Sequence, residues 1–108
     1  VNIHPNRWNI IIRIIREYPV TRREVDDLPD CVYRDRAVEE INAVETALGK
    51  LTEEEQVVIA ERFWQDRRRC MPYEVIERRM KAHYSVRQMK RITVKMVKIV
   101  GKELGHIE

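Results

Sequence analysis

Residues 85–105 alternate apolar and basic positions at helical spacing. At about 100° per residue, Arg87, Arg91, Lys95, Lys98 and Lys102 fall within an arc of roughly 80°. Met89, Ile92, Met96, Ile99, Val100 and Leu104 lie on the far side. Glu103 is the only acid in this stretch. The pattern predicts a long amphipathic helix that docks on a core through its apolar back and offers a single-signed polar face. Ser85 and Gln88 have the form of a capping box at its start, with His83 as an alternative cap, and Gly105 ends it.

Four earlier segments read as helical. Residues 6–18 carry Trp8, Ile10, Ile11, Ile12, Ile14, Ile15 and Tyr18, with Pro5 near the start and Pro19 at the end. Apolar residues cover more than one stripe there. The segment is therefore either a central core helix or one that pairs with a second copy of the chain. Residues 20–31 read as a polar connector, in which Thr21 could cap a short helix over 22–28. Residues 33–50 place Ala37, Ile41, Val44, Leu48 and Leu51 at spacings of three and four, with Gly49 offering a left-handed cap. Thr52 and Glu55 form a capping box for a helix that carries Val57, Val58, Ile59, Ala60, Phe63 and Trp64 and stops near Gln65. Pro72 opens a short helix from Tyr73 to about residue 81, with Ile76 and Met80 facing inward and residues 81–84 as a turn. The expectation is an all-α chain of four or five helices, one domain over residues 1–108. Residues 1–50 would supply N-terminal helices and residues 52–108 a helix-turn-helix part.

Composition fits that expectation: only 3 glycines and 4 prolines leave little material for the turns of an all-β fold. The Ile-rich run at 10–15 is too short to cross a bilayer and contains Arg13. The start, Val1-Asn2-Ile3-His4, has neither the basic nor the apolar region of a signal peptide. Cys31 and Cys70 show no CxxC spacing, and His4, His83 and His106 are scattered. They read as reduced thiols in a cytoplasmic protein rather than a disulfide or metal site, and no cofactor is expected.

The net charge of +3 says little, but its distribution says more. Residues 24–61 hold 12 acids against 3 bases, whereas residues 67–102 hold 12 bases against 2 acids. An acidic middle and a basic last third imply a surface that prefers polyanions on one side. In a helix-turn-helix the first outward residues of the second helix meet base edges, so Arg87, Gln88, Lys90 and Arg91 are the candidate readers. Lys95, Lys98 and Lys102 climb away from the groove floor and suit phosphates. Arg67, Arg68, Arg69, Arg78, Arg79, Lys81, Tyr84 and Ser85 could add contacts that carry no sequence information. Residues 66–70 could equally be a solvated turn. Duplex DNA is favoured over single-stranded RNA, since aromatics make up only 6% of the chain and sit where a core would want them. No carboxylate pair, activated nucleophile or phosphate-binding glycine loop suggests an enzyme.

The stretches REYPVTRREVDDL, AVETALGKLTEEEQVVIAERFW, YEVIERRM and YSVRQMKRITVKMVKIVGKELG resemble the ArpU/RinA family of phage-encoded transcriptional regulators. The C-terminal half of that family is similar to region 4 of sigma-70 factors. The resemblance implies a sigma-70 region 4-like helix-turn-helix, a DNA-binding activator of phage late genes and a location in the bacterial host cytoplasm. It places the base readers just after Ser85. The chain departs from the family at Glu77 or Arg78, where a small residue is usual, and at the bulkier turn 81–84. Two rival readings are a small terminase subunit that assembles as a ring on DNA, and an adaptor that uses the basic helix on RNA polymerase.

Overall fold

The computed structural model describes residues 4–66, 68–80 and 84–106. Among them are five α-helices, one 3-10 turn and no strand: α1 (Pro5–Glu24), the turn Val25–Asp27, α2 (Val32–Gly49), α3 (Glu53–Phe63), α4 (Tyr73–Arg79) and α5 (Val86–Glu103). α5 packs against all four other helices, α1 lies on α2, and α3 lies on α4. One core joins the two halves of the sequence. Ile11 and Ile15 of α1 and Val44 and Ala47 of α2 meet Val58, Ile59 and Phe63 of α3, Ile76 of α4, and Met89, Met96, Val97 and Val100 of α5. A smaller cluster of Val25, Ala37 and Ile41 closes the far end of α1 and α2.

α1 extends past the boundary that Pro19 was expected to set, and Thr21 caps no helix of its own. A proline inside a helix withholds the N–H that would serve the carbonyl four residues earlier. Here that carbonyl belongs to Ile15, and the indole N–H of Trp64 donates to it at 2.8 Å. A donor 49 residues away thus replaces the missing backbone bond, and Tyr18 packs on the same indole at 5.5 Å.

The expected left-handed cap at Gly49 is also absent. α2 ends on Lys50 in a right-handed conformation, and Gln56 Nε2 donates to the carbonyls of Leu48 at 2.7 Å and Leu51 at 3.4 Å. The side chain of the next helix satisfies acceptors that a Schellman motif would otherwise serve. That motif appears instead at the end of α5: His106 N–H donates to Gly101 O at 2.8 Å and Gly105 N–H to Lys102 O at 3.1 Å. The motif needs positive φ at its turning residue, and Gly105 supplies it at 75°.

Both capping boxes form. Thr52 Oγ1 accepts from Glu55 N while Glu55 Oε1 accepts from Thr52 N, and Ser85 with Gln88 repeats the arrangement. They fix where α3 and α5 begin, and so which residues stand in the first turn of each.

Candidate nucleic-acid interface

The residues of α5 divide cleanly. Met89, Ile92, Thr93, Met96, Val97, Val100 and Gly101 are buried, whereas Arg87, Gln88, Lys90, Arg91, Lys95, Lys98 and Lys102 are exposed. The buried set occupies about half the helix circumference at 100° per residue. Arg87, Arg91, Lys95, Lys98 and Lys102 therefore share the solvent side, while Lys90, about 60° from Arg87, stands exposed at the edge of the buried arc. Arg87, Lys90, Arg91, Lys98 and Lys102 make no ion pair among the described residues; Lys95 meets Glu55 Oε1 at 3.6 Å.

The length of this face separates two roles. From Arg87 to Lys102 the helix rises about 22 Å, at about 1.5 Å per residue. The major groove is only about 12 Å wide. A helix entering by its N-terminus can place Arg87, Lys90 and Arg91 at base edges, while Lys98 and Lys102 reach the flanking strands.

Gln88 carries a second duty. Its Oε1 accepts from Ser85 N–H at 2.8 Å, and its own N–H donates to Ser85 Oγ at 3.2 Å. A two-point contact with adenine needs both the oxygen and the amide nitrogen of a glutamine. The cap occupies the oxygen, which leaves the NH₂ as the group Gln88 offers outward. Ser85 Oγ is held by the same cap.

Besides Lys95 and Ser85, three side chains expected to meet phosphates have protein partners. Arg79 lies 3.4 Å from Glu61, Arg69 lies 3.6 Å from Asp66, and the Tyr84 hydroxyl donates to Glu54 at 3.2 Å. Burial raises the Tyr84 pKa above its usual value, and the hydrogen bond to Glu54 adds to the rise. The solvent-facing Arg69–Asp66 pair is worth about 0–1 kcal/mol, so a phosphate can displace that carboxylate at small cost, whereas Glu61 Oε2 is buried and releasing Arg79 would leave it without a partner. Arg68 and Arg78 are exposed, with Arg78 Nε donating to Glu74 O at 3.4 Å. Arg67 and Lys81 lie outside the described residues.

The start of α3 faces this region. The backbone hydrogen bond from Thr52 holds the Glu55 carboxyl below the usual range; burial opposes this shift and Lys95 reinforces it. Lys95 is thus a tie between α5 and α3 as well as a member of the cationic face.

The residues that hold α4 in place were not singled out from the sequence. The Tyr73 hydroxyl donates to Thr93 Oγ1 at 3.1 Å, and Thr93 in turn donates to Met89 O at 3.0 Å. The guanidinium of Arg62 stacks 4.0 Å from the centre of the Tyr73 ring and donates to Met71 O. Lys90 Nζ lies 5.9 Å from the centre of the same Tyr73 ring. Thr93 was visible as a lone polar residue on the apolar side of α5, and Arg62 as a cation between Ile59 and Phe63.

Among the described residues no group of three or more His, Cys, Asp or Glu side chains is placed to hold a metal ion. No helix among them is long and apolar enough to cross a membrane. No family model, curated protein or solved structure matches the chain.

Proposed function

We propose that the chain is a sequence-specific duplex-DNA-binding transcriptional regulator in which α4 and α5 act as a sigma-70 region 4-like helix-turn-helix. The observation that carries the proposal is the α5 surface: five exposed cations on one side, one of them paired, with Lys90 exposed at its edge, opposite a buried half that fixes the helix on the core. A surface that served solubility alone would mix charges of both signs. Arg87, Lys90 and Arg91 are assigned to base edges, with Gln88 contributing its NH₂. Lys98 and Lys102 are assigned to phosphates. The connection to phage late-gene activation rests on the family resemblance, and no enzymatic step is assigned to the chain.

Selection of bound sequences from random duplexes, followed by titration of the winning site, tests this reading. Enrichment of a defined motif is expected. Lys98→Ala with Lys102→Ala should reduce the slope of log affinity against log salt by about 1.8, since each phosphate contact contributes about 0.9. Failure to bind any duplex at low salt refutes the proposal. Binding to RNA polymerase without DNA would assign the helix to the adaptor role, and a ring-sized mass in solution would favour the packaging subunit.

A further inference from the structure

A groove of about 460 Å³ runs between α1 and the end of α3, on residues that the interface above does not use. Arg16, Val20 and Arg23 of α1 form one wall, and Trp64 and Asp66 lie opposite. Arg16 and Arg23 make no ion pair among the described residues. Asp66 links the groove to the arginine-rich loop after α3: its Oδ1 accepts from Arg68 N–H at 2.8 Å, and its Oδ2 lies 3.6 Å from Arg69 Nε. Two guanidinium-bearing side chains, Arg16 and Arg23, therefore line the groove with one carboxylate, Asp66, and that carboxylate is already engaged by its own loop.

We propose that this groove carries the sugar-phosphate backbone of the bound duplex beyond the segment that α5 reads, with Arg16 and Arg23 each meeting a phosphate. The inference rests on the DNA-binding reading above and extends its footprint from α5, through the Arg68–Arg69 loop, onto α1. The charge balance favours an anion. The spacing favours a strand: Arg16 and Arg23 stand two helical turns apart on one side of α1, about 10.5 Å along the axis. A DNA strand presents a phosphate about every 3.4 Å of axis, so that interval offers one to each arginine. Trp64 argues against a site for an unstacked base, because Tyr18 packs on its ring and its N–H is committed to Ile15 O.

The test uses the full chain, duplexes of about 12 and about 30 base pairs, and fluorescence anisotropy between about 50 and 200 mM salt. The Arg16→Gln/Arg23→Gln variant should lose two phosphate contacts on the long duplex. Its salt slope should fall by about 1.8, so that the native chain loses about twelvefold more affinity than the variant over that range. On the short duplex the two proteins should behave alike. Circular dichroism melting confirms that the variant is folded.

A native slope in the variant, while Lys98→Ala/Lys102→Ala still lowers it, overturns the inference and leaves the α5 reading standing. If neither pair changes the slope, the DNA reading fails and takes the inference with it. A native dimer that becomes a monomer in Arg16→Gln/Arg23→Gln, with no change in slope, assigns the groove to a second copy and also overturns the proposal.

Discussion

Replacing Trp64 by phenylalanine removes the indole N–H that serves the Ile15 carbonyl, the acceptor that Pro19 cannot serve. An acceptor left unsatisfied inside a fold costs about 1–3 kcal/mol. The smaller ring also loses some packing against Tyr18, an additional loss of about 1 kcal/mol. The two contributions separate in a double-mutant cycle with Pro19→Ala, because alanine restores the backbone N–H in the same turn of α1. In the Pro19→Ala background, Trp64→Phe should lose only the packing part. The expected coupling is about 1–2 kcal/mol. Pro19→Ala alone should stabilise the chain, since a proline inside a helix is disfavoured by about 3 kcal/mol relative to alanine and one hydrogen bond offsets only part of that. Urea denaturation followed by circular dichroism measures all four corners. Equal losses for Trp64→Phe in both backgrounds would refute the compensation argument, whatever their size.

Three further outcomes follow from the site and the charge pattern. Arg91→Ala should weaken the selected site by about 1–3 kcal/mol more than an unrelated duplex, measured by competition binding; equal losses on both would reduce Arg91 to a phosphate contact. Gln88→Glu preserves the capping geometry and places an anion at the favourable end of the helix dipole, so thermal stability should hold or rise while DNA affinity falls; unchanged affinity would remove Gln88 from the interface. Burial raises the Glu40 pKa, opposed by Arg36 at 3.8 Å and reinforced by Glu17. A carboxyl whose folded pKa lies above its unfolded value contributes stability that is full below the unfolded pKa and is lost as pH rises through the folded one. Glu40→Gln should therefore be more stable than the native chain at pH 7, with the difference closing near pH 3.5 in a denaturation series; a pH-independent difference would contradict the assignment.

Local chemistry made much of the fold legible. The two capping boxes need only residues three apart, and the faces of α2 and α5 need only a period. The two misread boundaries share a cause: a side chain from a distant element replaced a backbone bond. Pro19 is tolerated because Trp64 reaches across from the end of α3, and Gly49 needs no left-handed turn because Gln56 reaches back from α3. Neither donor can be inferred from the segment it rescues. The site divides in the same way. Exposure of Arg87, Arg91, Lys98 and Lys102 followed from helical phase. The pairing of Lys95 with Glu55, Arg79 with Glu61 and Tyr84 with Glu54 depends on how α3 lies against α4 and α5, which periodicity does not encode.

The central position of α5 constrains how the proposed interface can work. Its buried half contacts every other helix, so turning it by one residue, about 100°, would carry Met89 or Ile92 into water and bring a lysine or arginine into the core. Burying an unpaired cation is far more costly than any single base contact is favourable. Adjustment to different sequences must then come from the long arginine and lysine side chains, with the helix held in one orientation. Rigid presentation lowers the ordering cost of each contact, and it also means that a misplaced base cannot be accommodated by moving the backbone. In the proposed role, a helix packed on four neighbours is suited to discriminate between sites, and the same packing ties the proposed interface to the stability of the fold.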